Sequence, residues 1–530
     1  MAHPVRAFLL AIALTNCAST DDTRVEAAET VFADYFDAIG ARDTIDSGLV
    51  ESFEGASRAE WEARHQRSLA ALRSALSRVD PSKLTAVNTR AYQAMQEGIA
   101  WRESSSAAPE GNCADAQGAA TGEALNAALY ACFSSLGDAI EFEGRRYART
   151  AALAALEKLE EPERRRGLFM AMAPLWQSVN TGDEPTSPYR RLIALQSADA
   201  QRAIANAEAA LGAEAGSAEA WLEGALSAWS DDDAPLIEPW DFRYSYAAAV
   251  RETERCAPLA ALRPANDHYF TDLGADLGAL GVIQDVGDRP GMAPVDYADF
   301  ARIGRELDGA WRPAIPRISV VLQEGGIAHA AELAHENGHA AHYAAMRARP
   351  SLIFPDDFTV AIEAFADINA WSVYTPAWQQ RYLGCSADEA TNLRARLGAV
   401  MLDMAWGLFE IRMARDPSQS PNLIWTEITE THLRIAPHPE LSWWAVRGQL
   451  VESPGYMIHY ALGAFITAEV RARIAAEIGG FDAGNPNWYP HLSETLYGYG
   501  GTLPPAELLE AYLGRPVGPD ALIADIERAR

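Results

Sequence analysis

Histidines 335 and 339 stand four residues apart with a glutamate directly after the first, in His335-Glu336-Asn337-Gly338-His339. On an α-helix, positions i and i+4 share one face, a turn apart. Two imidazoles so placed can grip one Zn2+, and the glutamate between them reaches a water on the metal as general base. The chemistry predicted is metal-assisted hydrolysis, with a peptide bond as the expected target. The chain holds 11 histidines in 530 residues, so a chance match is on the order of a few per cent. The flanks argue against chance. Gly325-Gly326 can open a helix, Pro350 can follow its end, and alanine, the best helix former, fills much of the stretch between them. Small side chains there also let neighbouring elements approach closely.

A catalytic zinc takes three protein ligands and keeps one position open. In metzincins the third ligand is a histidine six residues past the motif, after an intervening glycine. Here those places hold Ala345 and His342, so that pattern fails. His342 lies on the same helical face and is expected in the wall of a pocket. A second helix is expected over 357–368, where Glu363 and Asp367 share a face among Ile362, Phe365 and Ile368. Carboxylates in apolar company need partners. Glu363 as zinc ligand and Asp367 as acceptor for the other N–H of a ligand histidine would satisfy both. Mn2+ or Co2+ could substitute at such a site.

The motif from His335 to His339, then 23 residues, then Glu363 with Asp367 four later, resembles the angiotensin-converting-enzyme peptidases, zinc enzymes of the gluzincin type. The continuation Asp367-Ile368-Asn369-Ala370-Trp371-Ser372-Val373-Tyr374-Thr375-Pro376 is similar to the same family, and the resemblance is firm over 318–383. Pro239-Trp240-Asp241-Phe242-Arg243-Tyr244 resembles instead the thimet-type oligopeptidases. The tail Gly500-Gly501-Thr502-Leu503-Pro504-Pro505-Ala506-Glu507-Leu508-Leu509 is similar to both. The resemblance implies a mainly α, two-lobed zincin-like fold with a deep central channel that admits only short or unstructured peptides. It also implies a tyrosine or histidine downstream that stabilises the oxyanion. Gly455-Tyr456-Met457-Ile458-His459-Tyr460 offers three donors, with Tyr460 the first choice and His459 and Tyr456 after it. Converting enzymes clamp the substrate's terminal carboxylate with a lysine and a tyrosine. Arg447 and Tyr456 fall at comparable places. Lysine is absent, and the interval from Tyr456 to Tyr460 is one residue longer than the family pattern, two departures that count against strict dipeptidyl carboxypeptidase specificity.

The elements that must position these groups read as helix upon helix. Helical spacing of apolar residues runs over 25–41, 58–79, 123–136, 140–159 and 188–211. One strand stands out, Ile318-Ser319-Val320-Val321-Leu322, β-branched and just before Gly325. A strand beside a metal helix can pair with an extended substrate backbone; a buried structural strand is the competing reading.

Hydrophobic residues are 49% and charged residues 22%, ordinary for a folded soluble domain. The formal net charge of −29 argues against a nucleic-acid partner, whose phosphates would repel it. Arg6 followed by Ala7-Phe8-Leu9-Leu10-Ala11-Ile12-Ala13-Leu14 reads as a signal segment, too short to span a bilayer. Residues 1–22 are assigned to it and 23–530 to a single domain. Leu14-Thr15-Asn16-Cys17 resembles a bacterial lipobox, so export ends either in a lipid anchor at Cys17 or in free release to the periplasm. Cys113, Cys132, Cys256 and Cys385 then permit two disulfides, with Cys113–Cys132 favoured because the pair brackets one local loop; free buried thiols are the alternative. The expected partners are short peptides, cleaved in a dipeptidyl carboxypeptidase-like mode, with thimet-type oligoendopeptidase cleavage the alternative. A non-catalytic exported zinc- or peptide-binding protein is the alternative of another class, though binding alone does not need Glu336.

Overall fold

A computed structural model describes residues 19–105, 113–119, 121–289, 292, 296–353 and 355–529. The expected signal segment up to Ala18, with Cys17, lies outside the described residues. The first described helix, α1 (Thr20–Asp46), begins inside the range assigned to that segment. Ser19 caps it: its hydroxyl accepts from the Asp22 amide and the Asp22 carboxylate accepts back from Ser19. Val25, Phe32 and Tyr35 turn inward from α1 and pack with Leu72 and Leu76 of α2 (Arg58–Leu76). Full burial of each such large apolar side chain contributes about 1.5–3 kcal/mol.

Most of the expected helices are present. α3 (Gly122–Gly137) and α4 (Pro188–Leu211) match their predicted spans within a residue. The span 140–159 does not form one helix. It opens with an antiparallel hairpin of β1 (Ile140–Phe142) and β2 (Arg145–Tyr147), and only Arg149–Leu156 is helical. The cause is the turn between the strands, where Glu143 (φ 50°) and Gly144 (φ 76°) both take positive φ. Two such residues build the two-residue turn whose twist suits a hairpin, and they break a helix. Phe142 then packs on Gly167, where a β-carbon would lie 2.8 Å from its ring.

The strand before the motif is real but longer and differently placed. A three-stranded sheet holds β3 (Ile283–Gly287), β4 (Tyr297–Arg302) and β5 (Ile315–Val321), in the order β3-β5-β4. β5 pairs in parallel with β3 and antiparallel with β4. Both its edges are occupied, so it cannot pair with a substrate backbone; the competing reading, a buried structural strand, is the one realised. Ile318 and Val320 are fully buried.

After β5 the chain turns through Gly325-Gly326 into α5 (Ile327–Ala345). A β-carbon at Gly325 would sit 2.3 Å from the Ala257 carbonyl oxygen, which leaves room for glycine alone. Gly326, at φ 122°, donates its N–H to the same carbonyl at 2.7 Å. A 3-10 turn, Asp356–Phe358, then leads into α6 (Thr359–Val373). α5 and α6 touch at Gly338, where an added β-carbon would meet the Ala366 carbonyl oxygen at 2.8 Å. Behind α6 lie α7 (Glu389–Arg415) and α8 (Met457–Ile478). The Thr467 hydroxyl of α8 donates to the Ala364 carbonyl of α6 at 3.0 Å. α7 meets α8 at Gly407, where a β-carbon would stand 2.7 Å from that of Ala461.

Two disulfides close the architecture, Cys113–Cys132 and Cys256–Cys385. The second ties the residue before Ala257, and so the floor under the start of α5, to the segment after the helix Pro376–Tyr382. Among the described residues no helix is long and apolar enough to cross a membrane.

Candidate metal centre

His335 and His339 project from one face of α5, and Glu363 meets them from α6. The three ligand atoms lie within 4.8 Å of one another. The two Nε2 atoms are 3.1 Å apart, and Glu363 Oε2 lies 3.4 Å from His335 Nε2 and 3.8 Å from His339 Nε2. Tetrahedral ligands at about 2.0–2.1 Å from a zinc ion stand roughly 3.3 Å apart, so the triangle has the right size. Two features of the atoms fit a cation. Glu363 Oε2 is buried with no hydrogen-bond partner among the described residues, and two ring nitrogens face each other where at least one must be a lone pair. Three potential acceptor atoms that converge on one point suit a cation.

The groups behind the ligands are also placed. Asp367, one turn after Glu363, takes His335 Nδ1 at 2.8 Å. A carboxylate there fixes the tautomer, leaving Nε2 as the acceptor that faces Glu363. Tyr456 donates its phenol to Glu363 Oε1 at 2.7 Å. Oε1 is thereby occupied and Oε2 is left toward the imidazoles.

The electrostatics follow from the crowding. Burial lowers the His335 pKa, but the hydrogen bond with Asp367 and the nearby Glu363 carboxylate outweigh it and hold the group well above its usual value. A metal would displace that proton. Burial and the neighbouring His335 charge drive His339 down to about 3. Burial raises Glu363, yet both imidazoles and Tyr456 bring it down to about 2, so it is a carboxylate. Glu336 is 4% exposed and its Oε2 has no partner among the described residues. Burial, with Glu332, Glu363 and Asp296 nearby, pushes its pKa well up, and His335 opposes this. It stands in the turn between the two histidines.

The downstream donors sit together on the far side of Glu363. The Tyr456 ring lies 5.1 Å from that of His459 and 5.6 Å from that of Tyr460. Burial lowers His459 to about 4, which keeps it neutral. Tyr460, half-buried, carries the Arg447 guanidinium over its ring at 5.2 Å. Arg447 is not a free surface arginine: it pairs with Asp403 at 3.3 Å and also lies over Trp406. His342 does not line a pocket wall. It is fully buried among Phe358, Phe365 and Tyr497, and neither ring nitrogen has a partner among the described residues.

Three residues at the site escaped the sequence reading. Tyr343 stacks on His339 with ring centres 5.6 Å apart. Its place four residues after His339 was the available signal. Asp296, just before β4, accepts the Val321 amide at 2.7 Å, and burial with Glu332 pushes it up to about 7. Glu410 of α7 holds the backbone on both sides of Tyr456. Nothing in the local sequence marks either carboxylate.

No family model matches the chain, and no curated protein does. Solved structures do share its fold. The chain superposes on Trypanosoma cruzi metallocarboxypeptidase 1 with a TM-score of 0.53 at 12% identity, over 96% of this chain and 99% of that one. It superposes on PZ peptidase A, solved with an inhibitor, with a TM-score of 0.54 at 14% identity, over 94% and 95% of the two chains. At these identities the likeness establishes the mainly helical fold along nearly the full length of all three chains.

Proposed function

We propose that the chain is a zinc-dependent peptidase acting on short peptides. The observation that carries this is the convergence of His335 Nε2, His339 Nε2 and Glu363 Oε2 on one point, with Glu336 in the turn between the histidines. The two structures that share its fold, by their names a metallocarboxypeptidase and a peptidase, support the same reading.

Zinc held by His335, His339 and Glu363 would supply Lewis acidity to a scissile carbonyl and acidify water at the centre. The rest is done by this chain's own groups. Glu336 takes the proton of the attacking water on its unpartnered Oε2 and hands it to the departing amine. Its raised proton affinity suits that return step. Asp367 holds His335 in one tautomer, and Tyr456 holds Glu363. Tyr460 and the neutral His459 supply donors for the charge that grows on the former carbonyl oxygen. In the free protein Tyr456 is committed to Glu363, which favours Tyr460 for this role.

The finer activity, release of C-terminal dipeptides or internal cleavage of oligopeptides, turns on a carboxylate clamp. Arg447 is already neutralised by Asp403, which supports the oligopeptidase mode. A peptide pool digested with and without chelator, its products read by mass spectrometry, tests the whole proposal. Metal-dependent cleavage is expected. Retained cleavage after C-terminal amidation supports internal cutting, and lost cleavage supports the clamp. A protein that holds zinc and cleaves nothing in the pool contradicts the proposed function and leaves a binding protein. Two disulfides support export to an oxidising compartment.

A further inference from the structure

Glu410 is a buried carboxylate that the proposed reaction does not use. It lies on α7 and is 1% exposed. Its Oε1 accepts the Gly455 N–H at 2.7 Å and its Oε2 the Met457 N–H at 2.8 Å. These amides flank Tyr456 at the N-terminus of α8, where first-turn N–H groups have no acceptor within the helix. The Met457 N–H lies in the peptide plane that follows Tyr456 and the Gly455 N–H in the plane that precedes Gly455, so a carboxylate that uses both oxygens pins the backbone at both ends of the Gly455-Tyr456 pair, and the Tyr456 N–H between them donates to the Ser453 carbonyl at 3.0 Å. The clamp thereby sets the direction in which the Tyr456 side chain leaves the backbone, and that side chain ends on Glu363 Oε1 at 2.7 Å.

The opposite side of the clamp is closed by α4. Gly455 has φ 92°, and a β-carbon there would lie 2.8 Å from Ala200 Cα and 3.1 Å from its carbonyl oxygen. The segment can neither back away from Glu410 nor accept a larger residue. Burial pushes the Glu410 carboxyl upward, and the two amide N–H groups and Arg447 oppose it in favour of the carboxylate. An isolated helix could be capped by serine or aspartate at its own N-terminus. Here the cap comes from another helix, 45 residues earlier in the chain.

We propose that Glu410 is a positioning residue of the metal centre: it clamps the Gly455 and Met457 amides so that Tyr456 holds Glu363 with Oε2 toward the two imidazoles. The proposal rests on the reading of His335, His339 and Glu363 as metal ligands. Glu410→Gln leaves one acceptor oxygen and sets an NH2 against the second amide, so half of the clamp fails. A cap serving only stability would leave the metal affinity of the folded protein untouched.

The test is a double-mutant cycle on zinc affinity, measured by competition with a chromophoric chelator, with circular dichroism and thermal unfolding of each protein alongside. Glu410→Gln and Tyr456→Phe are each expected to weaken zinc about 10-fold, as losses behind a ligand commonly do. The double variant is expected to be no weaker than Tyr456→Phe alone, because both changes break one path. Unchanged affinity in folded Glu410→Gln, or losses that multiply to about 100-fold, overturns the proposal. Gly455→Ala strains the same clamp with the carboxylate kept, so it carries the cycle if Glu410→Gln does not fold. Coupling to Tyr456→Phe supports the proposal there, and unchanged affinity overturns it. A parent protein that binds no zinc refutes the ligand reading itself, a result distinct from either outcome of the cycle.

Discussion

The α5–α6 pair and the segment from Arg447 to Tyr460 bring side chains to the same point by different means. In α5 and α6 each pair of functional residues is one helical turn apart, His335 with His339 and Glu363 with Asp367. The helix sets their mutual geometry, and the pair of helices needs only to approach closely, which Gly338 against Ala366 allows. The downstream segment is irregular. It passes through the short helix Gln449–Glu452, turns at Gly455 and enters α8 with its first amides held by Glu410. Chemistry carried on a regular helix is encoded in spacing. Chemistry carried on a turn depends on a partner that spacing does not name.

Perturbing the helix pair should cost more than perturbing the turn. The largest effect is expected from Glu336→Gln, which should lower turnover about a hundred- to ten-thousand-fold with zinc still bound. Steady-state kinetics and metal analysis on one sample check this, and undiminished turnover refutes the base. Replacing Cys256 and Cys385 with serine removes the brace behind the Ala257 carbonyl that receives Gly326. Denaturant unfolding should show a loss of about 2–4 kcal/mol, as for other native disulfides. Asp367→Asn should weaken zinc about 10- to 100-fold in chelator competition, because His335 loses its carboxylate acceptor. Gly338→Ala should cost about 1–3 kcal/mol of stability, since α5 and α6 must part to admit the methyl. If Gly338→Ala proves silent in thermal unfolding, close approach is not what joins the two helices.

The same contrast explains what could be read from the sequence. The α4 span and the convergence of His335, His339 and Glu363 were legible because helical periodicity and i, i+4 spacing are local facts. The span 140–159 was misread because its apolar residues fit a helix, while the positive φ at Glu143 and Gly144 that builds the hairpin depends on backbone conformation. β5 was found but not its neighbours: β3 and β4 are half-buried strands with mixed polarity, and pairing order is non-local. His342 fell on the right face of α5, yet Phe358, Phe365 and Tyr497 from three other segments enclose it. Asp296 and Glu410 come to the site from outside the motif helices, and no spacing rule links them to the motif.

X-ray absorption at the zinc edge of the loaded protein, compared with Glu363→Ala, tests the central claim most directly. The account predicts a shell of two imidazole nitrogens plus oxygen at about 2.0–2.1 Å, with one carboxylate oxygen lost or replaced by water and both imidazoles retained in the variant. A shell that contains sulfur, or one in which removal of the Glu363 carboxylate changes neither the spectrum nor the zinc affinity, would contradict it.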